Sequence, residues 1–428
     1  MISKIRQHKS KIYLMQLASL QILINFGTNF YIVHKIGFNA ELDILYISLA
    51  VFAFLTSSIG WSISSVLTPI LIENREKKIE GEMFVSISFI VIPIFVVVML
   101  SMYFWSKLLY ANYLDTIEFD KILTIQTFAN LSFLFSTLNI LFLSMFQEKN
   151  QYIKINLLNM LGAIVGFIFV CLTIEDYGIY SAGLYQVIIQ IFLFFVMWLI
   201  LCKSTKFNFK YNREILSLLW HRMKYIFFGS FYYRTGTIID RIIASYFTAG
   251  TLSLIGFVEK IYGAIITVLN SSISGPTITM FSNLIKEGKH EQIKKSLYNY
   301  FILLLIIDMF MLAFVIVFGK DLFLYFFSDR IDISLIPMLS IILLFLFSIV
   351  FGKTLGMLQK SLMMSSKNEK AVTYINSFVF TIGMILKITL SYYYGIIGLL
   401  ISILLNEVLT LIIQMIYIER KILNEIAL

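Results

Sequence analysis

Charge is scarce in this chain. Asp, Glu, Lys and Arg make up 14% of 428 residues, where a soluble protein carries about a quarter, so most of the chain cannot present a water-facing surface. Cysteine is nearly absent. Cys171 and Cys202 both fall inside apolar stretches, which leaves no disulfide or metal framework. The histidines His8, His34, His221 and His290 are scattered and form no ligand cluster. Ten-residue alternating strands are missing, which argues against an outer-membrane barrel. No loop could house a soluble domain, and no G-x-x-x-x-G-K-[ST] run occurs, so ATP-driven transport by this chain alone is not expected. The basic segment 1–11 leads into a stretch as long as a membrane span without a small-residue cleavage site, which predicts a retained helix.

What the chain has is apolar sequence: 59% of its residues are hydrophobic and the mean hydropathy is +0.86. Segments 84–103, 155–174 and 336–349 are nearly free of charge, and most such runs extend to the 20 or so residues that cross about 30 Å of hydrocarbon. Twelve or so transmembrane helices are predicted, near 12–33, 44–72, 83–106, 121–146, 152–174, 178–202, 223–248, 252–284, 298–320, 333–359, 371–394 and 396–419. The net charge of +9 does not point to nucleic acid. With both termini in the cytoplasm, about 24 of the Lys and Arg residues fall at the cytoplasmic side, and the reverse orientation inverts that ratio. The basic excess is a topology signal.

The two halves resemble each other. Gly37-Phe38-Asn39-Ala40-Glu41-Leu42-Asp43 leads into a helix ending Thr68-Pro69-Ile70-Leu71, and Ala249-Gly250-Thr251-Leu252-Ser253 into one ending Gly275-Pro276-Thr277-Ile278. Tyr177-Gly178-Ile179 recurs as Tyr394-Gly395-Ile396. Matched Gly- and Pro-interrupted helices point to a transporter built from repeats, with its site between them. The expected division is a first lobe at 1–205, a cytoplasmic linker at 206–222 and a second lobe at 223–428.

Ionisable residues within spans cost roughly 2.5–3.5 kcal/mol each on insertion scales, so each needs a reason. The densest set is Arg234, Asp240 and Arg241 on the seventh helix with Glu259 and Lys260 on the eighth. Arg234 and Arg241 share a helical face. Two readings stand: a neutralised static clamp, or a cationic, anion-accepting cavity, for which guanidinium suits phosphate. Arg234, near the midplane and left over after pairing, favours the cavity. Lys353 and Lys387 are placed within snorkelling reach of helix ends. Glu407 and Asp308, near mid-helix, are candidates for ion coupling or for protonated packing. Asp43 opens the second helix, where it serves as a cap or as a gate residue.

The stretch Asp240-Arg241-Ile242-Ile243-Ala244-Ser245-Tyr246-Phe247, then Gly250-Thr251-Leu252-Ser253, Glu259-Lys260-Ile261-Tyr262 and Phe281-Ser282, resembles the seventh and eighth helices of the lipid II (murein precursor) flippases. These belong to the multidrug/oligosaccharidyl-lipid/polysaccharide exporter superfamily. The stretch from Gly37 to Asp43 with Leu67-Thr68-Pro69-Ile70-Leu71, and Gly319-Lys320-Asp321-Leu322 to Phe327, resemble further parts of the same family. The resemblance implies an all-α, V-shaped fold of two six-helix lobes with pseudo-two-fold symmetry, alternating access, and a central cationic cavity for a lipid-linked diphosphate sugar. It places Lys260 where the family carries a cavity arginine and Asp43 where it carries an acidic residue. The chain departs from the family at Thr28 and Thr56, which stand near the positions of two family arginines. It also has about twelve helices rather than fourteen, which favours a shorter relative acting on O-antigen, capsule or exopolysaccharide units.

These readings converge on a non-enzymatic flippase of the bacterial inner membrane, acting as a monomer on a polyprenyl-diphosphate-linked oligosaccharide. Arg234, Arg241 and Lys260 are expected to attract the diphosphate, and Ser57, Asn270 and Ser271 to line the sugar path. Asp43, Asp240, Glu259, Asp308 and Glu407 are the gate or coupling candidates. No cofactor is implied. The expected partners are membrane lipid and the polysaccharide assembly machinery. A cation-coupled multidrug exporter on the same scaffold is the alternative, and a polysaccharide polymerase the more distant one, because the large external loop of a polymerase is missing.

Overall fold

The computed structural model describes residues 2–74, 79–149, 151–204, 210–269, 277, 280–281, 284–285, 287–331, 333–366 and 368–423. Among them the regular structure is entirely helical. In chain order the helices are α1 (Ile2–Ile36), α2 (Ala40–Leu55, a π-helical turn Thr56–Gly60, and Trp61–Glu73), α3 (Glu80–Leu109), α4 (Phe119–Glu148), α5 (Tyr152–Tyr177) and α6 (Ile179–Ser204). Then come α7 (Arg213–Ser245), α8 (Thr251–Leu269), α9 (His290–Phe314, a π-helical turn Val315–Gly319, and Lys320–Phe327) and α10 (Ile336–Ser365). The run Glu369–Tyr417 is broken at Gly395 (φ 58, ψ −138). Its two parts are α11 and α12, the latter closing with a π-helical end, Ile418–Leu423.

Among the described residues, eight helical runs are long and apolar enough to cross a bilayer by length and composition. One of them, Lys370–Leu423, has 54 residues, about 80 Å of helix and more than twice the hydrocarbon thickness. The break at Gly395 divides it into two spans. The chain is thus an all-helical, multi-pass membrane protein, as its composition predicts.

Packing divides the chain into two compact units, Met1–Ser245 and Tyr246–Leu428. In the first, α4 is the inner helix and packs against α2, α3 and α6, while α5 packs on α1 and α6. Burial separates inner from outer helices: 72% of the apolar window of α2 is buried against 22% of that of α3. Helices α5 and α6 approach closely because Gly162 and Gly166 have no side chain. A Cβ on Gly166 would come within 2.5 Å of Ile189 Cδ1. Small residues are what allow such contact in a bilayer, where no hydrophobic force drives helices together. One end of the unit is tied by a buried chain. Ser48 Oγ and Tyr110 Oη lie 2.6 Å apart, Tyr110 donates to Gln126 Oε1 at 2.6 Å, and Gln126 donates to Asn130 Oδ1 at 3.1 Å.

Helix α7 begins at Arg213, inside the segment predicted as linker, and packs within the first unit against α2 and α3. Two features start it early. Asn212 Oδ1 accepts from the backbone N–H groups of Glu214 and Ile215, the usual N-cap device. Ile215, Leu219 and Met223, spaced four apart, are all buried. The packing boundary therefore falls one helix later than the boundary drawn from the repeat.

In the second unit α10 is central and packs against α8, α9 and the α11–α12 run. Helix α9 is peripheral, with 11% of its apolar window buried. Phe257 of α8 packs edge-on against Phe327 at the end of α9, with ring centroids 5.3 Å apart. The corner between α11 and α12 repeats the corner between α5 and α6: Gly178 has φ 51 and ψ −123, and Gly395 has φ 58 and ψ −138. That region of backbone space is essentially closed to a residue with a Cβ, so the recurring Tyr-Gly-Ile triplet has a shared geometric cause.

Candidate functional site

In the first unit the candidate residues gather along one flank of α7. Ser230 Oγ donates to the carbonyl of Ser58 at 3.2 Å and lies 3.2 Å from Ser62 Oγ. At the other end of the helix, Asn112 donates to Ser245 Oγ at 3.0 Å. Positions 230, 234, 241 and 245 fall within about 60° of one another on a helical wheel. The stripe that carries Arg234 and Arg241 is therefore the one held against α2 and the 111–113 turn at both ends. Both arginines are half-buried, and the Arg234 guanidinium carbon sits 5.9 Å from the centroid of the Tyr233 ring. Asp240, adjacent to Arg241, is half-buried as well.

Ser57 lies in the π-helical turn of α2 and donates to the carbonyl of Phe54 at 3.2 Å. A π-turn is uncommon and often marks a functional position, because it frees a carbonyl from the ordinary ladder. Here the Ser58 carbonyl is bonded instead by Ser62 Oγ at 2.6 Å and by Ser230 Oγ. Phe54 stacks edge-on against Phe231 of α7 at 5.0 Å, closing the same contact.

Asp43 is fully buried and does not cap its helix. Asn39 does, accepting from Leu42 N at 3.0 Å. The Asp43 carboxylate instead accepts from Tyr113 Oη at 3.1 Å. Burial and the neighbouring carboxylate push the Tyr113 phenol well above its ordinary range, which fixes tyrosine as donor. Tyr113 is adjacent in sequence to Asn112, which holds Ser245, so Asp43 and Arg241 belong to the same end of the unit. Glu41 pairs with Lys121 at that end.

In the second unit, Glu259 is half-buried and Lys260 exposed on α8. Lys260, Gly263 and Thr267 lie along one face of this helix. A Cβ on Gly263 would meet nothing within 4 Å, and Thr267 is exposed. A face that offers a lysine, a glycine and a threonine is poorly suited to lipid and well suited to a wet cavity.

The sequence reading treats Lys353 as a snorkelling residue, and the structure overturns that. Its ammonium donates to Tyr262 Oη at 3.3 Å and lies 5.0 Å from the ring centroid of the same tyrosine. Glu259 and Glu407 are both within its electrostatic reach. A Cβ on Gly352 would lie 3.3 Å from Glu407 Cβ, so α12 sits directly against α10 here. Lys387 is not snorkelling either, since its residue is 6% exposed. Asp308 is buried at 6% and lies beside the Phe351 backbone. The cue for the Lys353 cluster was a lysine directly after a glycine in an apolar run, but the sequence does not show which helices meet there. Asn270 and Ser271 lie outside the described residues.

The family model described as lipid II flippase MurJ matches residues 32–427. No curated protein matches the sequence. Among solved structures, the chain is similar to a lipid II flippase MurJ in an inward closed conformation. The TM-score is 0.80 at 17% identity, over 97% of this chain and 89% of that one. It is also similar to an inward-facing multidrug resistance MATE family transporter of the MOP superfamily, with a TM-score of 0.69 at 13% identity over 97% and 95% of the two chains. The Vibrio cholerae MATE transporter VcmN in its bent form gives a TM-score of 0.60 at 13% identity, over 97% and 99%. These likenesses establish the MOP-type membrane fold.

Proposed function

Because the chain belongs to the lipid II flippase MurJ family, we propose that it flips a polyprenyl-diphosphate-linked saccharide across the bacterial inner membrane by alternating access. The glycan would be a peptidoglycan precursor or an O-antigen, capsule or exopolysaccharide unit. The observation that carries the reading is the α7 stripe: two arginines seven residues apart, bracketed by Ser230 and Ser245 contacts that fix its facing. Arg234 lies about 16 Å and Arg241 about 6 Å from the end of α7 at 1.5 Å per residue. That puts guanidinium groups at two depths of the membrane, where a diphosphate crossing the bilayer needs counter-charge. Lys260, on the open face of α8, would supply a third cation.

In this reading the protein carries out no covalent step and acts as a monomer, with both termini cytoplasmic and two helical lobes as the moving bodies. The polysaccharide assembly machinery would supply and remove the substrate. Glu259 and Glu407, gathered around Lys353, are the coupling carboxylates favoured by position. Asp43, Asp240 and Asp308 would serve as gate or packing carboxylates. The driving force would be the membrane potential, worth about 2.3 kcal/mol per elementary charge per 100 mV. A multidrug exporter fits less well, because the flank that α7 presents is cationic.

The test replaces Arg234, Arg241 or Lys260 by Gln in a strain that depends on this gene. Each lost charge-assisted hydrogen bond should lower flux about tenfold or more. Lipid-linked precursor should accumulate in the cytoplasmic leaflet, while Arg→Lys variants should keep part of the activity. Unchanged precursor levels in all three Gln variants would rule out the cationic path.

A further inference from the structure

The second unit contains a cavity of about 800 Å³ between α9, α10 and α12, of which the proposed transport path involves only Glu407. Its charged and polar residues are not spread evenly. Glu291, Lys294 and Lys295 stand in the first turns of α9, Gln359 in the last third of α10, and Glu419 at the end of α12. Neighbouring antiparallel helices bring these three stretches to one end of the groove. Beyond them the lining is mainly apolar as far as Phe301 on α9 and Leu404 on α12. The exceptions are Tyr298, Ser348, whose hydroxyl donates to the Leu344 carbonyl, and Glu407 on the Lys353-facing side. From Lys294 to Phe301 is about 10 Å of helix, and from Glu419 to Leu404 about 22 Å, which brackets the roughly 15 Å depth of one leaflet's hydrocarbon. Helix α9 is the outermost wall, with Ile302, Ile306 and Phe310 exposed, so the groove adjoins the bilayer.

The mouth is electrically balanced. Lys294 and Lys295 face Glu291 and Glu419 in the count of charges, and among the described residues none of the four forms an ion pair. Gln359 supplies a second observation. It is 3% exposed, and its amide nitrogen donates to the Leu411 carbonyl at 3.3 Å. Its Oε1, also buried, has no partner among the described residues. An unmet buried acceptor is costly, and here it leaves an acceptor that a ligand N–H or O–H can satisfy. The groove therefore offers a channel for an acyl chain, two cations for a phosphate, and two carboxylates with a bare amide oxygen for a hydrogen-bonding cation.

We infer that this groove binds one phospholipid with a primary-ammonium headgroup, an ethanolamine phospholipid drawn from the adjoining leaflet. The phosphate meets Lys294 and Lys295, while the ammonium N–H groups meet Glu291, Glu419 and Gln359 Oε1. The chemistry makes a sharp distinction: a choline headgroup carries the same charge but has no N–H to donate, and a glycerol headgroup lacks the cation.

The experiment uses the full-length, delipidated protein and native mass spectrometry, titrating ethanolamine, choline and glycerol phospholipids with identical chains. The ethanolamine lipid should be retained at about tenfold lower concentration than the choline lipid, the worth of a hydrogen bond to a charged group. Gln359→Leu, and the pair Glu291→Gln with Glu419→Gln, should reduce that preference to about twofold or less. Lys294→Gln with Lys295→Gln should weaken all three lipids alike, since every one of them carries the phosphate. Equal retention of the three lipids by the unaltered protein would overturn the inference, and that result does not depend on any variant folding. Displacement of the bound lipid by an equimolar polyprenyl phosphate would overturn it too, because the groove would then belong to the substrate's tail.

Discussion

Replacing Lys353 by Met should destabilise the second unit by an amount that can be worked from its contacts. The substitution keeps length and apolar bulk and removes the ammonium alone. One hydrogen bond from a charged donor, to Tyr262 at 3.3 Å, contributes about 1.5–3 kcal/mol. The contact with the Tyr262 ring, 5.0 Å from its centroid, adds about 0.5–2 kcal/mol. Glu259 and Glu407 then lose a cation within their electrostatic reach. Because Lys353 is half-buried, the lower part of these two ranges applies, about 2–3 kcal/mol in sum. For a unit of this size that corresponds to a fall of about 4–12 °C in Tm. The measurement is thermal melting of purified protein in detergent, for Lys353→Met, Glu407→Gln and the double variant. Coupling predicts that the double variant melts above the additive expectation by about 1 kcal/mol, since removing the carboxylate removes what the ammonium was neutralising. Additive losses, or a Lys353→Met protein that melts with the wild type, would refute the placement of Lys353 as the hub of a charged cluster.

Three further outcomes follow from local geometry. Gly395→Ala should lower Tm and yield, because its φ of 58 and ψ of −138 cost a residue with a Cβ about 1–3 kcal/mol, whereas Gly27→Ala, which meets open space, should melt like the wild type. Gly166→Leu should loosen the α5–α6 contact by about 1–3 kcal/mol through overpacking on Ile189, read as increased proteolysis between these helices. Tyr110→Phe leaves Ser48 and Gln126 without their shared hydroxyl, 2.6 Å from each, and should cost about 1–3 kcal/mol in melting while leaving lipid retention by the second unit unchanged.

The membrane class, the all-helical character and the recurring Tyr-Gly-Ile corner were legible in the sequence, because each is a property of order along the chain. An apolar run long enough to cross hydrocarbon must become a helix whatever its neighbours are, since nothing else satisfies its backbone in lipid. The Tyr-Gly-Ile triplets at 177–179 and 394–396 mark corners that only glycine can turn, so they too could be recognised one residue at a time. The arginines of α7 stood out for the same reason, as charges inside an apolar run. Their facing was not legible. It depends on Ser230 meeting Ser62 across a separation of 168 residues and on Asn112 meeting Ser245 across 133. The same limit explains Lys353, whose distance from a helix end suggested snorkelling although its partner Tyr262 is 91 residues away in the chain. The apolar groove with its balanced mouth appears only once α9, α10 and α12 are side by side. Sequence sets which residues the bilayer tolerates, whereas the rotation of each helix about its axis, fixed by packing against the others, decides what those residues touch.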